Sequence, residues 1–113
     1  MSAGSYNIYI EQGATYSQTF TWKINKNAVN LTSYSARMKF KHTKRSLEII
    51  TLTSASGAIT LNSSGQIAVT MSATVTDNLV DGIYLYDLEL QSPGGVVTRL
   101  LQGEVTVSPN ITR

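Results

Sequence analysis

Apolar and polar residues alternate with a period of two along most of this chain. In Tyr34-Ser-Ala-Arg-Met-Lys-Phe-Lys41, Tyr34, Ala36, Met38 and Phe40 share one face, while Ser35, Arg37, Lys39 and Lys41 share the other. Phe20, Trp22 and Ile24 alternate with Thr19, Thr21 and Lys23 in the same way, and Ile67, Val69 and Met71 with Ala68 and Thr70. In Tyr84-Leu-Tyr-Asp-Leu-Glu-Leu90 the even positions are apolar or aromatic, with Asp87 and Glu89 opposite. This is the pattern of strands with one buried and one wet face. It predicts strands over 5–11, 16–25, 34–42, 46–53, 58–62, 66–72, 82–91 and 95–107.

Turn signals fall between these runs. Asn25-Lys-Asn27, Thr53-Ser-Ala-Ser-Gly57 and Asn62-Ser-Ser-Gly65 accept turn geometry. Ser92-Pro-Gly-Gly95 is the strongest signal, because proline presets one φ and glycine tolerates the positive φ that follows. It makes Gly82–Val107 one long hairpin. Gly103 interrupts the last strand and marks a bulge or bend. Ser72–Leu79 lacks alternation: Ser72 or Thr74 caps one short helical turn near 73–79, and Leu79 pins it to the core. Seven or eight short strands separated by turns predict an all-β antiparallel sandwich.

The 113 residues form one domain, residues 1–113, large enough to bury roughly 65% of its unfolded surface. No internal repeat or linker divides it, and the residues from Pro109 are expected to form a flexible end. With no cysteine, the chain has neither disulfides nor thiolate metal sites. Charged residues are 14% of the chain, against about 25% in an average globular protein. The polar remainder is largely Thr, Ser, Asn and Gln, a weakly charged surface that suits a protein partly covered by neighbours. The beginning of the chain lacks a positive segment followed by an apolar run, so no signal peptide is expected there. No stretch reaches the roughly 20 apolar residues that span a bilayer. The expectation is a soluble protein made in a cytoplasm, with no membrane contact.

Candidate chemistry is sparse. His42 is the only histidine, at the end of a strand, and no nucleophile elbow accompanies it. A surface or turn role is the plainer reading. Asp87 and Glu89 stand about 6.5–7 Å apart along one strand, a spacing open to a glycosidase pair. Tyr84 and Tyr86 point the other way, so no sugar platform flanks them, and a wet outer face is expected. Asp77 and Asp81 lack the alternating ligands of a calcium loop. Three Asn-x-Ser/Thr sequences, at Asn30, Asn62 and Asn110, read as accidents of a Thr- and Ser-rich chain. No catalytic, cofactor-binding or metal-binding residue is assigned, and the chain is read as no enzyme.

The sharpest local feature is basic. Arg37, Lys39, Lys41, Lys44 and Arg45 supply five of the nine cations, three of them on the outer face of one strand. Nucleic acid is one reading, through counterion release. It is disfavoured because Tyr34 and Phe40 should point inward, leaving no stacking rings on that face. An edge strand protected by lysines and a surface for an acidic partner protein are the other two. On the terminal hairpin, Val96, Leu100 and Leu101 are candidate apolar contacts. Adjacent leucines face opposite ways, so one of that pair should be exposed.

Several phrases stand in order along the chain: Ile10-Glu-Gln-Gly-Ala-Thr-Tyr16, Val29-Asn-Leu-Thr-Ser-Tyr34 with Ala36-Arg37-Met38, Gly65-Gln-Ile-Ala-Val-Thr-Met71, Leu79-Val-Asp-Gly-Ile-Tyr-Leu-Tyr-Asp87, and Arg99-Leu-Leu-Gln-Gly103 with Val105-Thr-Val-Ser-Pro109. Together they resemble small immunoglobulin-like β-sandwich virion proteins of tailed bacteriophages, and they are similar to the N-terminal domain of phage baseplate upper proteins. The resemblance covers nearly the whole chain. It implies an immunoglobulin-like sandwich and a structural part of the virion, made in the host cytoplasm and present in multiple copies or as a homo-oligomer. Its implied partners are other virion proteins of the tail, baseplate or capsid, and it carries over no catalytic residue. Baseplate proteins continue into a helical or fibre region, and this chain stops at Arg113. That favours a tail adaptor or accessory piece, or alternatively a capsid decoration (cement) protein. A carbohydrate-binding module for host attachment is a third expectation; it needs exposed rings, and Trp22 reads as core. The long hairpin then offers strand edges to which a neighbour can add.

Overall fold

The computed structural model describes residues 4–42 and 48–109. In chain order the elements are β1 (Gly4–Ser5), β2 (Ile8–Glu11), β3 (Tyr16–Thr21), β4 (Lys23–Ile24), β5 (Asn27–Ala28), β6 (Ser35–Lys41), β7 (Glu48–Thr53), β8 (Ile59–Leu61), β9 (Gln66–Met71), α1 (Ala73–Asp77), β10 (Gly82–Gln91) and β11 (Val97–Ser108). The alternating runs become strands because each must bury one face. Ala36, Met38 and Phe40 on β6, Ile67, Val69 and Met71 on β9, and Tyr84, Tyr86, Leu88 and Leu90 on β10 are all buried. Each large side chain so buried contributes about 2 kcal/mol.

The strands form two principal sheets that share one core. The larger has the order β1–β11–β10–β6–β7, with β2 also on β11; the smaller has the order β3–β9–β8, and β4 and β5 make a separate hairpin. β10 is antiparallel to both neighbours, whereas β1 and β2 run parallel to β11. Residues from both sheets meet in a single apolar cluster, in which the Phe40 and Tyr86 rings lie edge to face.

Tyr84 fixes the crossing between the sheets. It stands near the start of β10, and its hydroxyl donates a 2.5 Å hydrogen bond to the Val80 carbonyl, four residues upstream. A buried tyrosine bonding back in this way at the entry of the second-last strand is the tyrosine corner of immunoglobulin domains. With this strand order, the chain is an all-β, immunoglobulin-like sandwich. Just before the corner lies α1. Ser72 caps it, its Oγ accepting from the Val75 N–H, and buried Leu79 follows it into the core. Thr76, also fully buried, ties α1 to the β2–β3 loop: its Oγ1 accepts from Gly13 N–H and donates to the Ala14 carbonyl.

Several predicted boundaries shift, each for a local reason. The strand expected over 16–25 ends at Thr21. Asn25 and Lys26 both adopt positive φ (52° and 70°), which folds Lys23–Ala28 into a tight two-residue hairpin. Ile24 is consequently exposed rather than inward, and Phe20 and Trp22 are only half-buried. The strand expected over 5–11 breaks at Tyr6–Asn7. Gly103 is not a bulge: it pairs in register with Tyr86, and a Cβ there would lie 2.3 Å from the Tyr6 carbonyl oxygen. Its glycine allows close approach of the N-terminal strand. The bulge is at Leu100, between the Leu88–Leu101 and Glu89–Arg99 pairs. The Ser92–Gly95 turn forms as expected, with Gly95 at φ 89° and its N–H donating to the Ser92 carbonyl.

Candidate interaction face

The outer face of the large sheet gathers most of the predicted charges. On β6, Arg37, Lys39 and Lys41 point outward; on β10, Leu85, Asp87 and Glu89 do. Register aligns them in rows: Arg37 with Glu89, Lys39 with Asp87, and Lys41 with Leu85. On the other side of β10, Glu89 pairs with Arg99, Asp87 with Gln102, and Leu85 with Glu104. A central acidic column is thus bracketed by two columns that hold four cations. The Arg37 Nε lies 2.8 Å from Glu89 Oε1, and the Arg99 Nε lies 3.4 Å from Asp87 Oδ2.

The Leu100 bulge makes this arrangement possible. Counting by twos from outward-facing Gln102 would turn Arg99 inward. The extra residue restores it to the outer face beside Glu89, as bulges commonly re-aim a side chain. It also explains the neighbouring leucines. The prediction that one of Leu100 and Leu101 is exposed fails: both are half-buried against the core, Leu101 across from Leu88 and Leu100 in the bulge. At the hairpin tip Val96 and Val97 are exposed, at 66% and 48%.

A shallow depression of about 640 Å³ opens over these rows, lined by Arg37, Lys39, Lys41, Asp87, Arg99 and Glu104 among others. Its walls carry both signs of charge. The expectation that Asp87 and Glu89 form a wet outer face holds, and their partners are arginines. Two other expectations do not. β6 is no edge strand protected by lysines, because β7 pairs along its far side. The terminal hairpin does not offer its length as an edge either: β6 flanks β10, and β1 and β2 flank β11. Lys44 and Arg45 lie outside the described residues.

His42 follows β6, exposed, with its ring stacked on that of Tyr84 at 4.9 Å. The nearest aromatic chemistry is structural. Tyr86 donates a 2.6 Å hydrogen bond to the Tyr6 carbonyl. Burial raises its pKa well above the ordinary tyrosine value, with Tyr16 and Tyr6 adding to the effect. Tyr16 is pushed up to about 12 by burial and by Tyr6, and Tyr84 is raised by burial and Asp81. Among the described residues no group of three or more His, Asp or Glu side chains stands close enough to hold a metal ion. No helix among them is long and apolar enough to cross a membrane. The alternation rule could identify the outward charges but not Arg99, because the bulge that turns it has no distinct sequence signal. Sequence reasoning missed the tyrosine corner, because the cysteine that usually stands two residues after the tyrosine is replaced here by Tyr86.

No protein-family model matches the chain, and no curated protein matches it. Similar solved structures include a VGSC β subunit studied for multimeric cell-adhesive interactions, with 13% identity over 96% of each chain and a TM-score of 0.47. Murine CRIg aligns with 11% identity over 92% of each chain and a TM-score of 0.45. The extracellular domain of the voltage-gated sodium channel β4 subunit aligns with 13% identity over 98% of each chain and a TM-score of 0.43. At these values the likenesses say nothing of function.

Proposed function

We propose that the chain is a non-enzymatic structural part of a tailed-bacteriophage virion, docked in multiple copies on the tail or baseplate as an adaptor or accessory piece. The observation that carries the docking reading is the outer face of the large sheet. There Arg37, Lys39, Lys41 and Arg99 bracket Asp87 and Glu89 over one shallow depression. A catalytic cleft concentrates perturbed groups in a water-poor pocket. This face instead presents crossed charges in the open, which fix register and exclude wrong partners at a protein surface. Its mixed sign also weakens the nucleic-acid reading, because Glu89 and Asp87 already neutralise Arg37 and Arg99.

The virion assignment itself rests on the ordered phrases of the sequence. They coincide with the pins of the sandwich. Ile10–Tyr16 holds the loop that Thr76 ties down, Leu79–Asp87 holds the tyrosine corner, and Arg99–Gly103 holds the bulge and the glycine beneath Tyr6. A capsid decoration role on the head uses the same face. The carbohydrate-binding reading has less support, since Trp22 is half-buried and edge-on to Tyr34, which leaves Tyr9 as the most exposed ring.

The experiment is the copy number in purified particles, by quantitative mass spectrometry against the major capsid and portal proteins. A small multiple of about six assigns the tail; a number on the order of hundreds assigns the head. Absence from particles overturns the virion reading. The face is tested by reversing Arg37, Lys39 and Lys41 to Glu. Loss of incorporation from a folded variant is expected; incorporation at the wild-type level removes this face from assembly.

A further inference from the structure

We propose that β3 is an open sheet edge to which a second copy of the chain adds its own β3, antiparallel, about a two-fold axis at Gln18. This is independent of the virion reading. Exposed edges template pairing with other chains, and proteins normally blunt them with short strands, charges, bulges or cover. Most edges of this sandwich are blunted. β8 is three residues long. The margin formed by β1 and β2 is two short pieces interrupted at Tyr6–Asn7. The pairing of β7 slips where it meets Phe40 and Lys41.

β3 has none of these devices. Among the described residues it pairs with β9 alone, in unbroken register over six residues. Its sequence, Tyr-Ser-Gln-Thr-Phe-Thr, holds no charge, proline or glycine. Ser17, Thr19 and Thr21 are exposed, whereas Tyr16, Gln18 and Phe20 on the inner face are only half-covered. The strand thus offers a straight backbone edge, with two aromatic rings not fully enclosed by its own chain.

Symmetry selects the register. In an antiparallel pair, residues directly opposite lie on the same face. A two-fold axis between residues would set inward positions against outward ones, so the axis must pass through a residue. Centred on Gln18, Tyr16 faces Phe20 of the second copy and Phe20 faces Tyr16, while Ser17 and Thr19 pair on the outside. Centred on Thr19, Phe20 would meet Gln18 and Tyr16 would lie beyond the pairing. The first register gives both rings a cross-strand partner, an arrangement that stabilises sheets. The dimer so formed joins two three-stranded sheets into one of six.

A strand-edge contact of five residues is expected to bury less than the roughly 1,000 Å² of a stable dimer, so the association should be weak and concentration-dependent. The test is amide hydrogen exchange on the wild-type protein over about a hundredfold range of concentration, with sedimentation velocity alongside. The expected result is that outward-directed β3 amides slow by about tenfold as dimer appears, while β8 amides do not change. Ser17→Lys with Thr19→Lys would set lysine opposite lysine twice in the dimer, yet both positions are exposed in the monomer. This variant should melt like wild type and remain monomeric; Thr60→Lys on β8 should dimerise normally. The proposal is overturned by β3 exchange that is independent of concentration, by protection already complete at high dilution, or by undiminished dimerisation of the double-lysine variant. Protection that arises only on adding purified particles also overturns it, because the added strand would then belong to another protein.

Discussion

The two sheets end in opposite ways. The large sheet closes its margin with the chain's own N-terminal segment: β1 and β2 run parallel to β11, and the break between them is held from three sides. Tyr6 N–H donates to the Gln102 carbonyl, Tyr86 donates to the Tyr6 carbonyl, and Glu104 N–H donates to Asn7 Oδ1. Gly103 provides the space. The small sheet ends at β3 with no such cover among the described residues. One margin is thus defined by a clasp of hydrogen bonds, and the other by a neutral, regular strand. Closing an edge requires a specific contact that the sequence must encode, whereas leaving one open needs only the omission of charges and breaks.

The largest effect should come from opening the closed margin. Gly103→Ala would put its Cβ 2.3 Å from the Tyr6 carbonyl oxygen and 3.0 Å from Asn7 Oδ1. Backbone sits on backbone there, so no side-chain rotation relieves the clash. The N-terminal strand must move away, with loss of the clasp. A destabilisation of about 3 kcal/mol is expected in chemical denaturation, the upper part of the usual range for point substitutions. Faster exchange should be confined first to the 101–108 half of β11. A loss below about 1 kcal/mol would mean that β1 and β2 contribute little to the fold. The same substitution should leave β3–β9 pairing unchanged in the folded state.

A smaller effect is expected from the hydroxyl of the clasp. Tyr86→Phe keeps the ring against Phe40 but removes the donor to Tyr6, which should cost about 1–2 kcal/mol. The pH dependence follows from the raised tyrosine pKa values. Tyr16 and Tyr86 ionise at higher pH in the folded chain than in the unfolded one. Their contribution is therefore fully present below the ordinary value of about 10. It is lost as pH rises from there through about 12, the folded value of Tyr16. Wild-type stability should fall over this window, and Tyr86→Phe should flatten the fall. A stability curve that stays level to the alkaline limit would contradict the burial that raises both tyrosines.

The sequence revealed these regions unequally. Period-two alternation identified the inner faces of β6, β9 and β10, because each strand buries one face and wets the other. The cap of α1 was legible as Ser72 or Thr74, since an N-cap is a local device, and the structure selects Ser72. Pairing is not local, and the errors lie there. A protected edge was one reading of β6 because its outer face is basic, but edge status is decided by β7, whose position no pattern on β6 encodes. Gly103 looked like a bulge because a glycine within a strand signals either a bulge or a close approach. Only the position of Tyr6 distinguishes them. The outward set Arg37, Lys39, Lys41, Asp87 and Glu89 was readable residue by residue. That the cations bracket the acids in register was not.

The crossed charges should be the least important feature for stability, and this separates what holds the fold from what faces a partner. Arg37 and Glu89 meet at 2.8 Å, but the arginine side chain is 44% exposed. An exposed pair of this kind is worth about 0.2–1 kcal/mol, because solvent screens the attraction and two long side chains lose freedom. A double-mutant cycle with Arg37→Ala and Glu89→Ala should give a coupling of about 0.5 kcal/mol at low salt. It should shrink further at about 1 M salt, where the screening length falls to about 3 Å. A coupling several times larger that resists salt would mean that the rows are a structural brace. A small, salt-sensitive coupling leaves the fold to the core and the clasp. The four cations and their carboxylates can then rearrange onto another surface at little cost to the sandwich.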